Sequence, residues 1–159
     1  MQQSEEGRGE RRGERRAEPV MSRTGYVLKK VQAALRAAMD EQLRPLGIAT
    51  PQYSVLSVLD EVPGLSGAEV ARRCFVTPQT MNELIVHLEQ RGYLIRHRDQ
   101  GARIIHLTLT PMGVTLTRQA HSQVGQVESR MLQYLSPTEQ RHLLELLLQC
   151  AQGLGADNR

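Results

Sequence analysis

Four times in this 159-residue chain a hydroxyl side chain stands directly before a proline: Thr50-Pro51, Thr77-Pro78, Thr110-Pro111 and Ser136-Pro137. A serine or threonine in that place can accept from the unpaired N–H groups of a helix's first turn, and the proline lacks a donor that would find no intrahelical partner anyway. Each pair therefore predicts a helix start. Ser66-Gly67-Ala68-Glu69 predicts a fifth, because its Ser and Glu have the spacing of a capping box, in which each residue covers a backbone donor of the other; Ser136-Pro137-Thr138-Glu139 has the same spacing.

The apolar residues behind these marks recur with helical spacing. A first helix runs from Tyr26 to Leu43 on Val27, Leu28, Val31, Leu35, Ala38, Met39 and Leu43, and closes near Pro45 and Gly47. Val55, Leu56, Leu59 and Val62 give a short second helix, and Val70, Ala71 and Cys74 a third. Met81, Leu84, Ile85 and Leu88 give a fourth, ended by Gly92 where a left-handed cap is needed. Leu116, Ala120, Val124, Val127, Met131 and Leu135 predict a long fifth helix, and Leu143, Leu144, Leu147, Cys150 and Leu154 a sixth. The only strand-like material is Tyr93 to His97 and Arg103 to Leu109, joined by Arg98-Asp99-Gln100-Gly101-Ala102 as a hairpin. The fold class is mainly α with a small β-wing, a winged helix-turn-helix plus a helical dimerisation region. Residues 1–20, which alternate Arg, Glu and Gly and lack apolar bulk, are expected to be a disordered tail. Their equal Arg and Glu content argues against a DNA-binding arm, and Met21, just before the first periodic segment, is an expected native start. Residues 21–47 and 112–155 are assigned to dimerisation and 48–111 to the winged helix-turn-helix.

The formal charge is only +3, but it is not spread evenly. The stretches 1–18, 19–90 and 107–159 are each balanced, so the whole excess lies in residues 91–106, where Arg91, Arg96, Arg98 and Arg103 face Asp99 alone. A basic segment in a neutral background suggests a polyanion partner; a solvated turn that collects arginine is the plainer alternative. One Phe, four Tyr and no Trp exclude platforms that stack single-stranded bases on aromatic rings. In a winged head the second helix of the pair buries one face and turns the other to the major groove of double-stranded DNA. Gln79, Thr80, Asn82, Glu83 and His87 lie on that outer side. Gln and Asn suit adenine, Thr a thymine methyl and Glu the amino group of cytosine, although the same residues also make an ordinary wet helix face. Ser66 and Thr77 stand at helix starts whose free N–H groups suit phosphate, and each also serves simply as a cap. Arg96 and Arg98 are assigned to phosphates, and Arg103 to the minor groove.

On these residues the sequence resembles the MarR family of winged-helix transcription regulators. The resemblance covers about residues 24–155 and is strongest in Leu65-Ser66-Gly67-Ala68-Glu69-Val70-Ala71-Arg72-Arg73, Val76-Thr77-Pro78-Gln79-Thr80-Met81-Asn82, Leu88-Glu89-Gln90-Arg91-Gly92-Tyr93-Leu94 and Leu109-Thr110-Pro111-Met112-Gly113. It implies a homodimer interlocked by its first, fifth and sixth helices, a pseudo-palindromic operator, and control by a small anionic or phenolic effector. Independently, those three helices carry long apolar stripes that one small head cannot cover, with an intramolecular bundle as the alternative. Four positions in three places depart from the family, Arg103 being retained. Gly101-Ala102-Arg103 stands where many members have Asp-Arg-Arg, Glu83 stands where many have Arg, and Phe75 holds a turn position often given to Gly.

No cofactor is implied. Cys74 and Cys150 lie in apolar stripes and are expected to be core residues rather than redox switches, and two cysteines make no zinc cluster. His87, His97, His106, His121 and His142 show no metal-ligand pairing, though His121 remains a lone candidate on the fifth helix. No phosphate loop or nucleophile elbow is present, so an enzyme is not expected. For the effector, the resemblance points to the crevice between the first, second and fifth helices, with Arg36, Met39, Tyr53 and His121 as the candidate lining. With no signal-like or membrane-spanning run, a cytoplasmic DNA-binding repressor is expected. The alternative is a winged-helix adaptor that binds a protein and leaves DNA alone.

Overall fold

The computed structural model of the chain describes residues 19–98 and 104–156. Its elements follow in the order α1 (Thr24–Leu43), α2 (Thr50–Glu61), β1 (Leu65–Ser66), α3 (Gly67–Arg73), α4 (Pro78–Gln90), β2 (Leu94–His97), β3 (His106–Leu109), α5 (Pro111–Met131) and α6 (Pro137–Gly153), with single 3-10 turns at Val20–Ser22 and Arg44–Leu46. The chain divides into two units between Gln32 and Ala33, inside α1. In the described part of the first, the Ser22 hydroxyl donates to the Pro19 carbonyl at 3.0 Å, and Tyr26, Val27, Leu28 and Val31 stand exposed. None of the described helices is long and apolar enough to cross a membrane. The predicted tail falls almost wholly outside the described residues.

Three of the four hydroxyl–proline marks act as caps. Thr77, Thr110 and Ser136 accept from the N–H groups of Thr80, Gly113 and Glu139, and Ser66 and Ser136 each close a capping box with the glutamate three residues on. Thr50 differs: it is already the first residue of α2, and Ala49 precedes it at the cap position. Its hydroxyl donates to Asp40 Oδ1 at 2.6 Å and its N–H donates to the same oxygen at 2.8 Å. A charged acceptor makes the stronger bond, so the carboxylate takes the hydroxyl and Gln52 covers the Ala49 N–H at 2.8 Å instead. The threonine thus pins the end of α1 to the start of α2.

The strands form an antiparallel sheet in the order β1-β3-β2. β2 and β3 pair from Leu94 with Leu109 to His97 with His106, and β1 adds Leu65 opposite Leu107 and Ser66 opposite His106. β1 was not expected, since two residues are too few to show alternation. The wing strands are shorter than predicted: Tyr93 precedes β2, and Ile104 and Ile105 stand exposed ahead of β3. The hairpin tip, including Asp99, Gly101, Ala102 and Arg103, lies outside the described residues. Leu43, Leu56, Leu59, Met81, Leu88, Leu94 and Leu107 make the centre of the core, each almost inaccessible to water.

Two apolar stripes end differently from expectation. α5 stops at Met131, so Leu135 falls in the connector: Ser136, held extended before Pro137 to cap α6, leaves no room for another turn. α6 fully buries none of its side chains, and Cys150, expected in the core, is exposed because no described residue covers that face. Cys74 caps the end of α3, half-buried, and burial pushes its thiol up to about 11.

The start of α5 is fixed by a close backbone approach. The N–H of Thr110 donates to the Tyr93 carbonyl at 3.0 Å, and a Cβ placed on Gly113 would lie 1.9 Å from that same oxygen. Backbone on both sides cannot give way. Gly113→Ala is expected to lower stability by about 3 kcal/mol or more, the upper end of overpacking costs, which a urea melt followed by circular dichroism would read. The Thr50 hydroxyl, then its N–H, hold the Asp40 carboxyl below its ordinary value of 3.8. A depressed carboxylate stabilises the fold above that value and stops doing so as the pH falls below it. Asp40→Asn should therefore cost less than about 1 kcal/mol at neutral pH for this half-exposed group, and the deficit should shrink progressively in melts taken to pH values below 3.8.

Candidate nucleic-acid interface

α4 divides cleanly between core and solvent. Met81, Ile85 and Leu88 are buried at 1, 4 and 0% exposure, a spacing of four and three that holds one edge of the helix in the core. Gln79, Thr80, Asn82 and Glu83 stand exposed around its first two turns, with no side-chain partner elsewhere in the described head for Gln79, Asn82 or Glu83. The Thr77 hydroxyl accepts from the Thr80 N–H at 3.2 Å and lies 3.0 Å from the Thr80 hydroxyl. His87, on the next turn, is exposed but engaged: its Nδ1 accepts from the Gln52 side-chain amide at 2.7 Å, which ties α4 to α2.

Ser66 is used within its own cap. Its hydroxyl donates to Glu69 at 2.6 Å and its N–H donates to the same carboxylate at 2.8 Å. Those two bonds, hydroxyl first, hold the Glu69 carboxyl below the usual range. α3 then ends in a tight turn in which the N–H groups of Phe75 and Val76 donate back to the carbonyls of Arg72 and Ala71.

The arginines of the basic segment have different fates. Arg91 turns inward, donating to the Gly47 carbonyl while its guanidinium lies 5.0 Å from the centre of the Tyr93 ring. Arg96 on β2 places its Nε 2.9 Å from Glu89 on α4, an ion pair without good hydrogen-bond alignment. It borders a cavity of about 250 Å³ that Gly67, Pro78, Met81 and Ile105 also line, between α3, α4 and the wing. Arg98 is exposed at the last described position before the tip, and Arg103 lies outside the described residues. Across the wing His97 and His106 stack at 6.1 Å, and His106 Nδ1 donates to the Gly64 carbonyl at 2.7 Å. Neither arginine's internal partner was foreseen. Glu89 lies seven residues from Arg96, and only the turn at Gly92 brings them together.

Of the four effector candidates, two meet. The Tyr53 hydroxyl lies 2.9 Å from His121 Nδ1 with the rings edge to face, and His121 Nε2 lies 3.7 Å from Asp60, a chain of polar groups from α2 to α5. Nothing in the sequence marks Asp60 as a partner of that histidine. Arg36 instead sits 4.0 Å from Asp40, and Met39 is half-buried against the core. Among the described residues no group of three or more His, Cys, Asp or Glu is placed to hold a metal ion.

Residues 46–103 match the sequence profile of the MarR family. The chain is 37% identical over 134 residues to the HTH-type transcriptional repressor Rv2887 of Mycobacterium tuberculosis, covering 84% of this chain and 94% of that protein. Its fold is similar to the crystal structure of Rv2887 in complex with DNA, with a TM-score of 0.68 and 35% identity over 81% of this chain and 98% of the other. Rv2887 in complex with salicylic acid gives the same TM-score and identity, over 81% and 96%. If Thr77 acts first as a cap, Thr77→Ala should lower stability by about 1 kcal/mol while Thr77→Ser leaves it nearly unchanged, as thermal melts would show.

Proposed function

Since the chain belongs to the MarR family, we propose that it is a ligand-responsive transcriptional regulator, a repressor, that binds double-stranded DNA as a homodimer in the cytoplasm and catalyses nothing. The observation that carries this is the outer face of α4: Gln79, Thr80, Asn82 and Glu83 stand free at the start of a helix whose other edge is locked in the core. A helix held in that way can enter a major groove without unfolding its own support. The complex of Rv2887 with DNA adds weight to the same assignment.

Within this head the roles divide. Gln79, Thr80, Asn82 and Glu83 meet base edges, and the helix starts at Ser66 and Thr77 face phosphates. Arg98 contacts a phosphate, and Arg103 reaches the minor groove from the wing. Arg96 and His87, each already engaged within the head, act by fixing α4 against β2 and α2. Residues 48–111 form the reading head, and residues 21–47 and 112–155 the dimerisation region. α6 supports the latter, since Leu144, Leu146, Leu147 and Leu148 all face water in a single chain. A two-fold dimer places its reading helices roughly 34 Å apart, one turn of the duplex.

For the effector we propose an aromatic carboxylate of the salicylate class, the kind of molecule bound to Rv2887, meeting Tyr53 and His121. Titration of salicylate into the regulator–DNA complex should release the DNA, and Tyr53→Phe should raise the concentration needed.

Selection of duplexes from a random pool, followed by titration at several salt concentrations, tests the main assignment. Binding should weaken steeply with salt. Arg98→Ala should lower the slope of log K against log salt by about one, the share of a single phosphate, without changing the sequence selected, whereas Asn82→Ala should change the sequence and leave the slope alone. A chain that selects no duplex at low salt would be the protein-binding adaptor instead.

A further inference from the structure

Helices α3, α4 and α6 end in the same way. In each, the residue after the cap donates its N–H to the carbonyl three residues back, the next residue donates to the carbonyl five back, and the first of the two is left-handed. That conformation suits glycine, which has no Cβ to clash. α4 uses Gly92 at φ 74° and α6 uses Gly155 at φ 69°. α3 uses Phe75, at φ 55°, the only left-handed residue other than glycine among those described and the only phenylalanine of the chain.

The ring does nothing for the fold. Phe75 is 91% exposed, while Val76 beside it supplies the turn's packing against the core. Strained backbone and a bare aromatic ring are both unfavourable in the free protein, and such outliers collect where a partner binds. The place of this one is specific. Only Val76 separates Phe75 from Thr77, so the Phe75 Cα lies within about 8 Å of the cap of α4. Arg72 and Arg73 precede it, and no acidic residue intervenes between Glu69 and Glu83. A cationic, apolar tip beside a reading helix fits a polyanion with hydrocarbon surface between its charges.

We propose that Phe75 is a DNA-contact residue whose ring packs on the apolar surface of the duplex, a deoxyribose face or a thymine methyl, at the edge of the bases met by α4. This rests on the DNA-binding reading above. Such packing neutralises no phosphate, so it adds affinity without adding to the salt dependence.

The test compares the full chain with Phe75→Gly and Phe75→Asn on the tightest duplex selected from a random pool. Both variants should melt no lower than the parent, because the left-handed turn suits them better. Both should bind roughly tenfold more weakly, with an unchanged salt slope. Replacing thymidine by deoxyuridine, one position at a time, then identifies the surface. A position that weakens the parent but not Phe75→Gly marks a thymine methyl; weaker binding by the variants with no such position marks the sugar. Variants that bind as tightly as the parent, melt lower, or change oligomeric state would each overturn the assignment, the last two by showing the ring packed on protein. If the parent itself binds no duplex, the DNA-binding reading fails first, and that failure is distinct from equal binding by parent and variant.

Discussion

A helix can offer side chains to a groove only if its own position is settled by something else, and in this protein that something is the burial of Met81, Ile85 and Leu88 along one edge of α4. Each such side chain contributes on the order of 1.5–3 kcal/mol, enough together to fix a 13-residue helix that would be marginal alone. The ties to its neighbours then set its angle. Gln52 holds His87, Glu89 holds Arg96, and the turn at Gly92 returns the chain to β2 beside the helix it has just left. The outer residues are free because the inner ones are not.

The close approach at Gly113 extends this order to α5. The Tyr93 carbonyl, at the exit from α4, accepts from Thr110 at the entry to α5 and leaves no space for a side chain there. The wing strands β2 and β3 run between these two points, so both of their inner ends are set on one carbonyl. Asp40 and Thr50 do comparable work at the other end, joining α1 to α2 through a carboxylate.

Most helix starts were legible because caps are local: a hydroxyl, a proline and a glutamate three residues on speak for themselves. Thr50 was misread because its competitor, Asp40, is ten residues away and only tertiary structure brings it near. The same limit governs charge. Four arginines against one aspartate suggested a polyanion partner, yet Arg91 and Arg96 are occupied inside the protein by a carbonyl, a ring and a glutamate. Net charge counts ions and not their appointments. β1 left no trace in the sequence, since a two-residue strand has no period, and Cys150 misled because a leucine-rich stripe says that a face will be covered without saying by which chain.

α6 has a capping box at its start and a glycine turn at its end, but not one fully buried side chain. Local signals can shape such a helix; they cannot hold it against water for long. In the proposed dimer its persistence belongs to a population rather than to a molecule: dilution would strip the leucines of their cover, so the amount present in a cell and the fraction properly folded would become a single variable. For a regulator this ties dosage to competence, and a cell holding too few copies would lack working ones in more than proportion.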